Sequence, residues 1–312
     1  MTRELVTGAL EFLRTKYIFP DKAAAAAAAI SARLDAGEYD GLTEDELGER
    51  LTSQLYDLCA DKHLRVRTRE EDLQEAMTEA EATALWHEHT RIDNYRIHRV
   101  ERLAGNVGLI DLRGIADPVV AAPAFAAAME LVRHTDALIF DLRKNRGGSP
   151  EGVQYWNSFL FPDAETHLND IFDAGTGLTR QYWTLPHLPV ARYVGKPVYV
   201  LTSSFTFSAG EEFAYNLQAQ KRATLIGEVT KGGAHPTDAF PITPTFEITV
   251  PTARSINPVT GTNWEGTGVH PDIAVPADQA LDLAYQKCLE HVVTTATAES
   301  VREEARAAAG AS

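Results

Sequence analysis

Ala137-Leu-Ile-Phe-Asp-Leu142 is short, almost wholly apolar, and stops at Arg143-Lys-Asn-Arg-Gly147-Gly148. A strand with one wet face would alternate, so a continuous run like this suits a strand covered on both faces. Covering both faces takes helices, which points to an α/β layered fold. Pro197-Val-Tyr-Val-Leu-Thr202 and Ala223–Gly227 read as two more buried strands. Helical patterns span Val119–Arg133, Gly152–Leu160, Ser208–Gln220 and Ala277–Thr294. Tyr95–Val100 and Val107–Leu112 flank the turn signal Ala104-Gly105-Asn106 and read as paired strands. Phe246–Val250 alternates again, and the Ala/Glu tail after Glu299 reads as a charged helix or a frayed end.

The first third is different. Leu5, Ala9, Leu13 and Tyr17 share one helical face, and Pro20 stops that helix. The alanine run Ala23–Ala29 continues as a helix until Gly37. Thr43 and Glu46 have capping-box spacing ahead of a stripe of Leu47, Leu51, Leu55 and Leu58. Leu64, Val66 and Thr68 alternate with arginines like a half-buried strand, and the acidic, Ala-rich stretch 70–88 reads as helix. The boundary near 70–90 is soft.

At 312 residues the chain is long enough for about two domains of roughly 150 residues. Its formal charge of −15 argues against nucleic acid or an anionic membrane as the main partner, without excluding a local basic patch. Cys59 and Cys288 make neither a disulfide framework nor a zinc motif and read as buried thiols. The first residues lack a secretory pattern, and no apolar stretch approaches the roughly 20 residues of a membrane span. The expectation is a reduced, cytoplasmic protein.

Three loops follow the three buried strands, at the ends where ligands bind in open α/β sheets. Gly147 and Gly148 permit positive φ and offer N–H groups to an oxyanion, although a plain turn explains them as well. Ser208 stands where strand and loop give way to helix, with its Oγ at the positive end of the dipole. That suits a nucleophile. Yet Ser208 and Glu211 also have capping-box spacing, no Gly-x-Ser-x-Gly elbow is present, and local sequence favours the cap. Lys231 is a base if desolvated, otherwise a solvated loop charge. His235 is a candidate substrate contact or an exposed loop histidine. His63, between helix and strand, is a defensible base, and Glu265 lies in a Gly-rich loop, but spacing alone identifies neither. His87 and His89 do not share a helical face and are not read as a metal site. No nucleotide-binding fingerprint appears.

In order, Tyr17-Ile-Phe-Pro20, Gly37-Glu-Tyr39, Asp61-Lys-His63-Leu64, Leu138–Gly148, Ser203–Tyr215, Gly227–Pro236 and Trp264–Asp272 resemble the C-terminal-processing (tail-specific) and tricorn-type serine peptidases. They look most like the branch related to the modules of interphotoreceptor retinoid-binding protein. The resemblance covers almost the whole chain. It implies an N-terminal helical domain over residues 1–88 carrying His63, and an α/β, ClpP/crotonase-like peptidase core over residues 89–312. It implies Ser208 as nucleophile, His63 as general base and Glu265 as the carboxylate that orients it. The N–H of Ala209, with that of Gly147 or Gly148, matches the oxyanion hole. Lys231 and His235 remain candidate substrate-binding residues. A peptide or protein substrate is implied, with no cofactor and no metal, and a homo-oligomer stays open.

Three features depart from the pattern. Tail-specific relatives place a dyad lysine where this chain has Gly233, so Lys231 ranks behind His63 as base. Tricorn-type enzymes carry a serine beside the histidine, where this chain has Lys62. The residues between Leu64 and Glu88 are too few for a PDZ domain, since domains begin near ~50 residues. A second reading keeps the fold as a non-catalytic binder of a retinoid or fatty acid, with Tyr155–Phe161 lining the pocket, and a third diverts the site to small-molecule acyl transfer. The joint presence of Ser208, His63 and Glu265 favours the enzyme.

Overall fold

A computed structural model describes residues 2–69 and 78–310. Its first elements are α1 (Thr2–Lys16), α2 (Pro20–Asp35), α3 (Glu44–Cys59), β1 (Arg65–Thr68) and α4 (Glu79–Ile92). Then come β2 (Ile97–Leu103), β3 (Val107–Leu112), α5 (Pro118–Val132), β4 (Ala137–Asp141), α6 (Pro150–Ser158), β5 (His167–Asp173) and β6 (Thr179–Trp183). The rest are β7 (Val198–Thr202), α7 (Ala209–Ala219), β8 (Thr224–Gly227), β9 (Thr237–Pro241), β10 (Phe246–Pro251), β11 (Ala253–Ile256), β12 (Ile273–Ala274), α8 (Ala280–Thr295) and α9 (Glu299–Ala309). The helix expected over 70–88 falls partly outside the described residues, and its described part is the start of α4. Among the described residues, no helix is long and apolar enough to cross a membrane.

The chain forms two compact units. One holds the residues up to Ala84 with Asp170–Arg180 and Gly233–Ile256; the other holds Leu85–Asn169, Gln181–Gly232 and the residues from Asn257 on.

In the first unit, Pro20 begins α2 at its first turn, where a missing N–H costs nothing. Gly37, at φ 77°, ends that helix: its N–H and that of Glu38 turn back to the carbonyls of Leu34 and Arg33, each at 3.1 Å. The expected capping box opens α3, with Glu46 Oε2 accepting the Thr43 N–H at 2.9 Å. Leu47, Leu51 and Leu55 are buried, but Leu58 is 37% exposed. Cys59, four residues beyond Leu55, takes the inward position instead, and burial pushes its thiol up to about 11. The helices bury their stripes with Phe246, Ile248 and Val250 of β10. That strand runs antiparallel to β1 and to β9, with Val66 opposite Ile248. A further sheet runs in the order β11-β5-β6.

The second unit is built on a six-stranded sheet in the order β12-β8-β7-β4-β3-β2. All neighbours are parallel except the antiparallel edge hairpin β2–β3. From β3 through β4, β7 and β8 each strand is added on the same side of the last. Right-handed crossovers then put α5, α6 and α7 on one face and leave the other to later chain. The packing agrees. Ile139, Leu201 and Ile226 pack with Ala284, Cys288 and Leu289 of α8 and with Ala305 of α9. Phe140 points to the opposite face, its ring centroid 5.9 Å from Trp156 and 5.1 Å from Phe213. Every residue of β4 is buried, as its unbroken apolar run predicts. The aromatic stretch Tyr155–Phe161 belongs to this core: Trp156 packs 4.5 Å from Phe125, and Phe159 is fully buried.

Under α7 lies a buried polar layer. Asn257 Nδ2 donates to the Leu168 carbonyl at 3.1 Å and to Asn216 Oδ1 at 3.2 Å, and Asn157 and Asn169 are fully buried. Glu212 stands among them. Burial pushes its carboxyl up to about 8, against the opposing pull of the Asn169 and Asn216 amides.

Phe140→Ala removes the ring between Trp156 and Phe213. It is expected to cost about 3–5 kcal/mol in urea unfolding, and a change under about 1 kcal/mol would show that this face does not depend on it. Glu212 gives a second expectation. Its folded value lies above the ordinary 4.5, so the native state holds a proton that the unfolded chain has lost. The stability it contributes is full below that ordinary value and is lost as pH rises through about 8. Glu212→Gln mimics the neutral acid and should flatten this part of the Tm-versus-pH curve. An unchanged curve would mean another group causes the fall.

Candidate active site

The carboxyl ends of β4, β7 and β8 lie side by side, because the three strands are parallel neighbours. Their loops therefore open on one edge of the sheet. The β7 loop is tied to the β4 loop: Thr206 Oγ1 donates to the Leu142 carbonyl at 2.8 Å and Ser203 Oγ to that of Arg143 at 2.6 Å. At its end Ser208 has φ 55° and ψ −125°, a strained conformation for a residue with a Cβ. Strain of this kind costs about 1–3 kcal/mol and persists only where surrounding contacts enforce it. Ala209 then begins α7, so Ser208 meets the positive dipole end of an 11-residue helix.

Gly147 and Gly148 have φ of 98° and 145°. A Cβ on Gly147 would lie 2.7 Å from Ser208 Cβ and 2.9 Å from the Ala209 nitrogen, so only glycine lets these backbones meet. A Cβ on Gly148 would strike the Ile115 carbonyl at 2.0 Å. Asn145 arranges the approach. Its Nδ2 donates to the Leu112 carbonyl at 3.0 Å, its Oδ1 accepts the Gly147 N–H at 2.8 Å, and its carbonyl accepts the Phe207 N–H at 3.1 Å. The Gly147 N–H is thus already committed. Those of Gly148 and Ala209 have no acceptor among the described residues.

Glu211 sets the other side. It is fully buried on α7. One oxygen accepts the Ser208 N–H at 2.9 Å, which is the capping contact the sequence suggests. The other accepts from the Thr230 hydroxyl and, at 2.6 Å, from the Gly232 N–H. The loop after β8 is thereby fixed against Ser208. Lys231 in that loop donates its N–H to the Thr206 carbonyl at 3.0 Å, and its ammonium stands 5.2 Å from the Phe207 ring. The Glu265 loop packs on the same frame. Trp264 is buried 5.3 Å from Tyr215 of α7, Gly266 N–H reaches the Gly232 carbonyl at 3.3 Å, and Glu265 N–H is held by Asn263 Oδ1 at 2.9 Å.

His63 and His235 belong to the first unit. The His63 N–H donates to Asp61 Oδ1 at 3.1 Å, and its carbonyl accepts from Thr249 Oγ1 at 2.5 Å. Asp61 is 1% exposed, and its other oxygen meets His235 Nδ1 at 2.7 Å and the Tyr17 hydroxyl at 3.2 Å. His235 is therefore not an exposed loop residue: it is 5% exposed and lies 5.3 Å from the Phe19 ring. The structure gathers Gly147, Gly148, Ser208, Ala209, Lys231 and the Glu265 loop in one unit, and His63 with His235 around Asp61 in the other. Sequence reasoning missed Asn145, Asp61 and the second role of Glu211. Each also reaches a partner distant in the chain, and no spacing rule marks those contacts.

Comparison with known proteins bears on this arrangement. The family model described as peptidase family S41 matches residues 106–275, and that of the N-terminal domain of peptidase S41 in eukaryotic IRBP matches residues 1–101. The carboxyl-terminal-processing peptidase 2, chloroplastic, of Arabidopsis thaliana is 31% identical over 174 residues, which are 54% of this chain and 32% of that protein. The chain thus spans about a third of that relative's length. Two solved structures share the fold. A lipoprotein from Streptococcus agalactiae superposes with a TM-score of 0.58 at 14% identity, over 93% of this chain and 96% of that one. The tricorn protease superposes with a TM-score of 0.61 at 13% identity, over 93% of this chain and 37% of that one. With the S41 family model spanning more than half of its length, this chain belongs to peptidase family S41.

Proposed function

We propose that this chain is a serine peptidase that cleaves peptide bonds through an acyl-enzyme at Ser208. The observation that carries the reading is the strained Ser208 backbone at the start of α7, with glycine backbone against it and two unclaimed N–H groups beside it. A helix cap needs no such strain, whereas strained backbone clusters at sites where a side chain is held for chemistry. His63 takes the Oγ proton as Ser208 attacks the carbonyl carbon, and Glu265 orients the imidazole. The oxyanion is received by the N–H groups of Ala209 and Gly148. Gly147 serves as spacer, because its own N–H is bonded to Asn145. Collapse expels the amine, which takes the proton from His63, and water then releases the acid and restores Ser208. Family membership and the processing peptidase among its relatives support a peptide substrate. His63 is preferred to a lysine base because the dyad position holds Gly233.

Ser208→Ala is expected to abolish labelling by a fluorophosphonate probe and to lower peptide hydrolysis by about 10³-fold or more. Wild-type protein that resists the probe while saturably binding a retinoid would favour the non-catalytic alternative. His63→Ala should lower the rate comparably while His235→Ala costs less, and the reverse ranking would transfer the base to His235. Glu211→Gln puts an amide donor against one of the donors it now accepts from. A loss of about 10–100-fold in kcat with KM nearly unchanged is expected, matching one buried charge-assisted hydrogen bond. Unchanged kcat in the folded variant would remove Glu211 from the positioning frame.

A further inference from the structure

The segment that leaves α3 is held at every residue from Cys59 to His63. Lys22 Nζ donates to the Cys59 carbonyl at 3.1 Å. Ala60 turns the chain at φ 56°, a left-handed conformation that a residue with a Cβ seldom adopts. Arg65 Nε donates to the Lys62 carbonyl at 2.7 Å. His63 is gripped at both ends of its backbone, at its N–H by Asp61 Oδ1 and at its carbonyl by Thr249 Oγ1. A plain link between helix and strand is met mostly by water, so protein partners at each step, around a strained residue, mark a link whose conformation matters.

Asp61 is the centre of this arrangement, and a carboxylate is costly to bury. It has only acceptors, so each of its partners has to donate. Oδ1 takes the His63 N–H. Oδ2 meets the Tyr17 hydroxyl and His235 Nδ1, which keeps a proton of the His235 ring on Nδ1. The two oxygens thus have different duties. Oδ1 sets the backbone that carries the His63 side chain, and Oδ2 ties the carboxylate to the end of α1 and to the segment before β9.

We propose that Asp61 is a positioning residue for the His63 base, acting through Oδ1, with Tyr17 and His235 as its anchors. The proposal rests on the reading of His63 as the base for Ser208. It gives His235 the task of anchoring a carboxylate. The two duties can be separated by substitution. In Asp61→Asn the amide oxygen keeps the His63 N–H while the NH2 group faces Tyr17 and His235. The hydroxyl then turns to accept, and the ring moves its proton to Nε2 so that Nδ1 accepts. Asp61→Ala keeps neither contact.

The test follows inactivation of the full chain by a fluorophosphonate probe, with the rate at saturation (kinact) read apart from probe binding (KI). Asp61→Ala is expected to lower kinact about 10–100-fold with KI within about twofold. Asp61→Asn should restore kinact to within about threefold of wild type. Imidazole 15N spectra at pH 9, with the ring assigned through His235→Gln, should show that its proton has moved from Nδ1 to Nε2. In a His63→Ala background Asp61→Ala should cost less than about twofold, because nothing is left to position. Should Asp61→Ala fail to fold, Thr249→Val reads the other grip on His63, with an expected loss of about 3–10-fold in kinact. A wild-type His235 with its only ring proton on Nε2 would overturn the proposal. So would an Asp61→Asn chain as slow as Asp61→Ala, since the His235 tautomer and not the His63 backbone would then be what the chemistry needs. Equal losses with and without His63, or an unchanged kinact in folded Asp61→Ala or Thr249→Val, overturn it as well. Wild-type chain that the probe does not label sinks the serine reading and this role with it, whereas labelling together with any of those results sinks the role of Asp61 alone.

Discussion

A buried carboxylate with three donors around it sets the geometry on which the rest of the second unit's loop edge depends. Glu211 is removed from water and receives the Ser208 N–H, the Thr230 hydroxyl and the Gly232 N–H. A carboxylate without partners there would carry a large desolvation cost. The three segments that supply its donors are therefore held at the positions that satisfy it. Ser208 keeps its strained φ because releasing it would strand one of those bonds. Thr230 passes the constraint on: its hydroxyl also accepts the Val269 N–H at 2.7 Å, which pins the loop after Glu265.

Asn145 performs the matching task from the other side. It satisfies the end of β3, the Gly147 N–H and the residue before Ser208 at once. Gly210 shows how closely the parts fit, since a Cβ there would stand 2.5 Å from Asn145 Oδ1. Two buried polar side chains thus fix the backbone around Ser208, while the apolar layers on either face fix the strands that carry these loops. This division follows from physical chemistry. Apolar packing is non-directional and sets where strands lie, whereas hydrogen bonds to buried polar groups are directional and set which N–H points where.

The same division explains what the sequence made legible. The buried strands were readable because burial on both faces writes itself as an unbroken apolar run, as in β4 and β7. Caps were readable because they are local, as at Thr43 and Gly37. Leu58 departs from its expected place because the buried stripe continues from Leu55 at four-residue spacing to Cys59, which leaves Leu58 on the flank of the helix. Strands β5, β6, β9 and β11 were not readable, for their side chains do not form one apolar run. Nor did the sequence announce that 170–180 and 233–256 return to the first unit. At Ser208 the capping-box spacing was seen, but spacing cannot show that Glu211 reaches Thr230 and Gly232 with its second oxygen, nor that an L-residue adopts positive φ.

The charge distribution follows the same logic of local commitment. A chain of net charge −15 repels anions at long range, yet the ends of β2, β3 and β4 carry Arg96, Arg113 and Arg143 close together. Most of this positive charge is spent internally. Asp141 takes two contacts from Arg143, at 2.9 and 2.7 Å, and Asp93 takes Arg96. Their field is largely cancelled beyond a few ångströms. A groove so neutralised cannot gather a polyanion against the repulsion of the whole molecule.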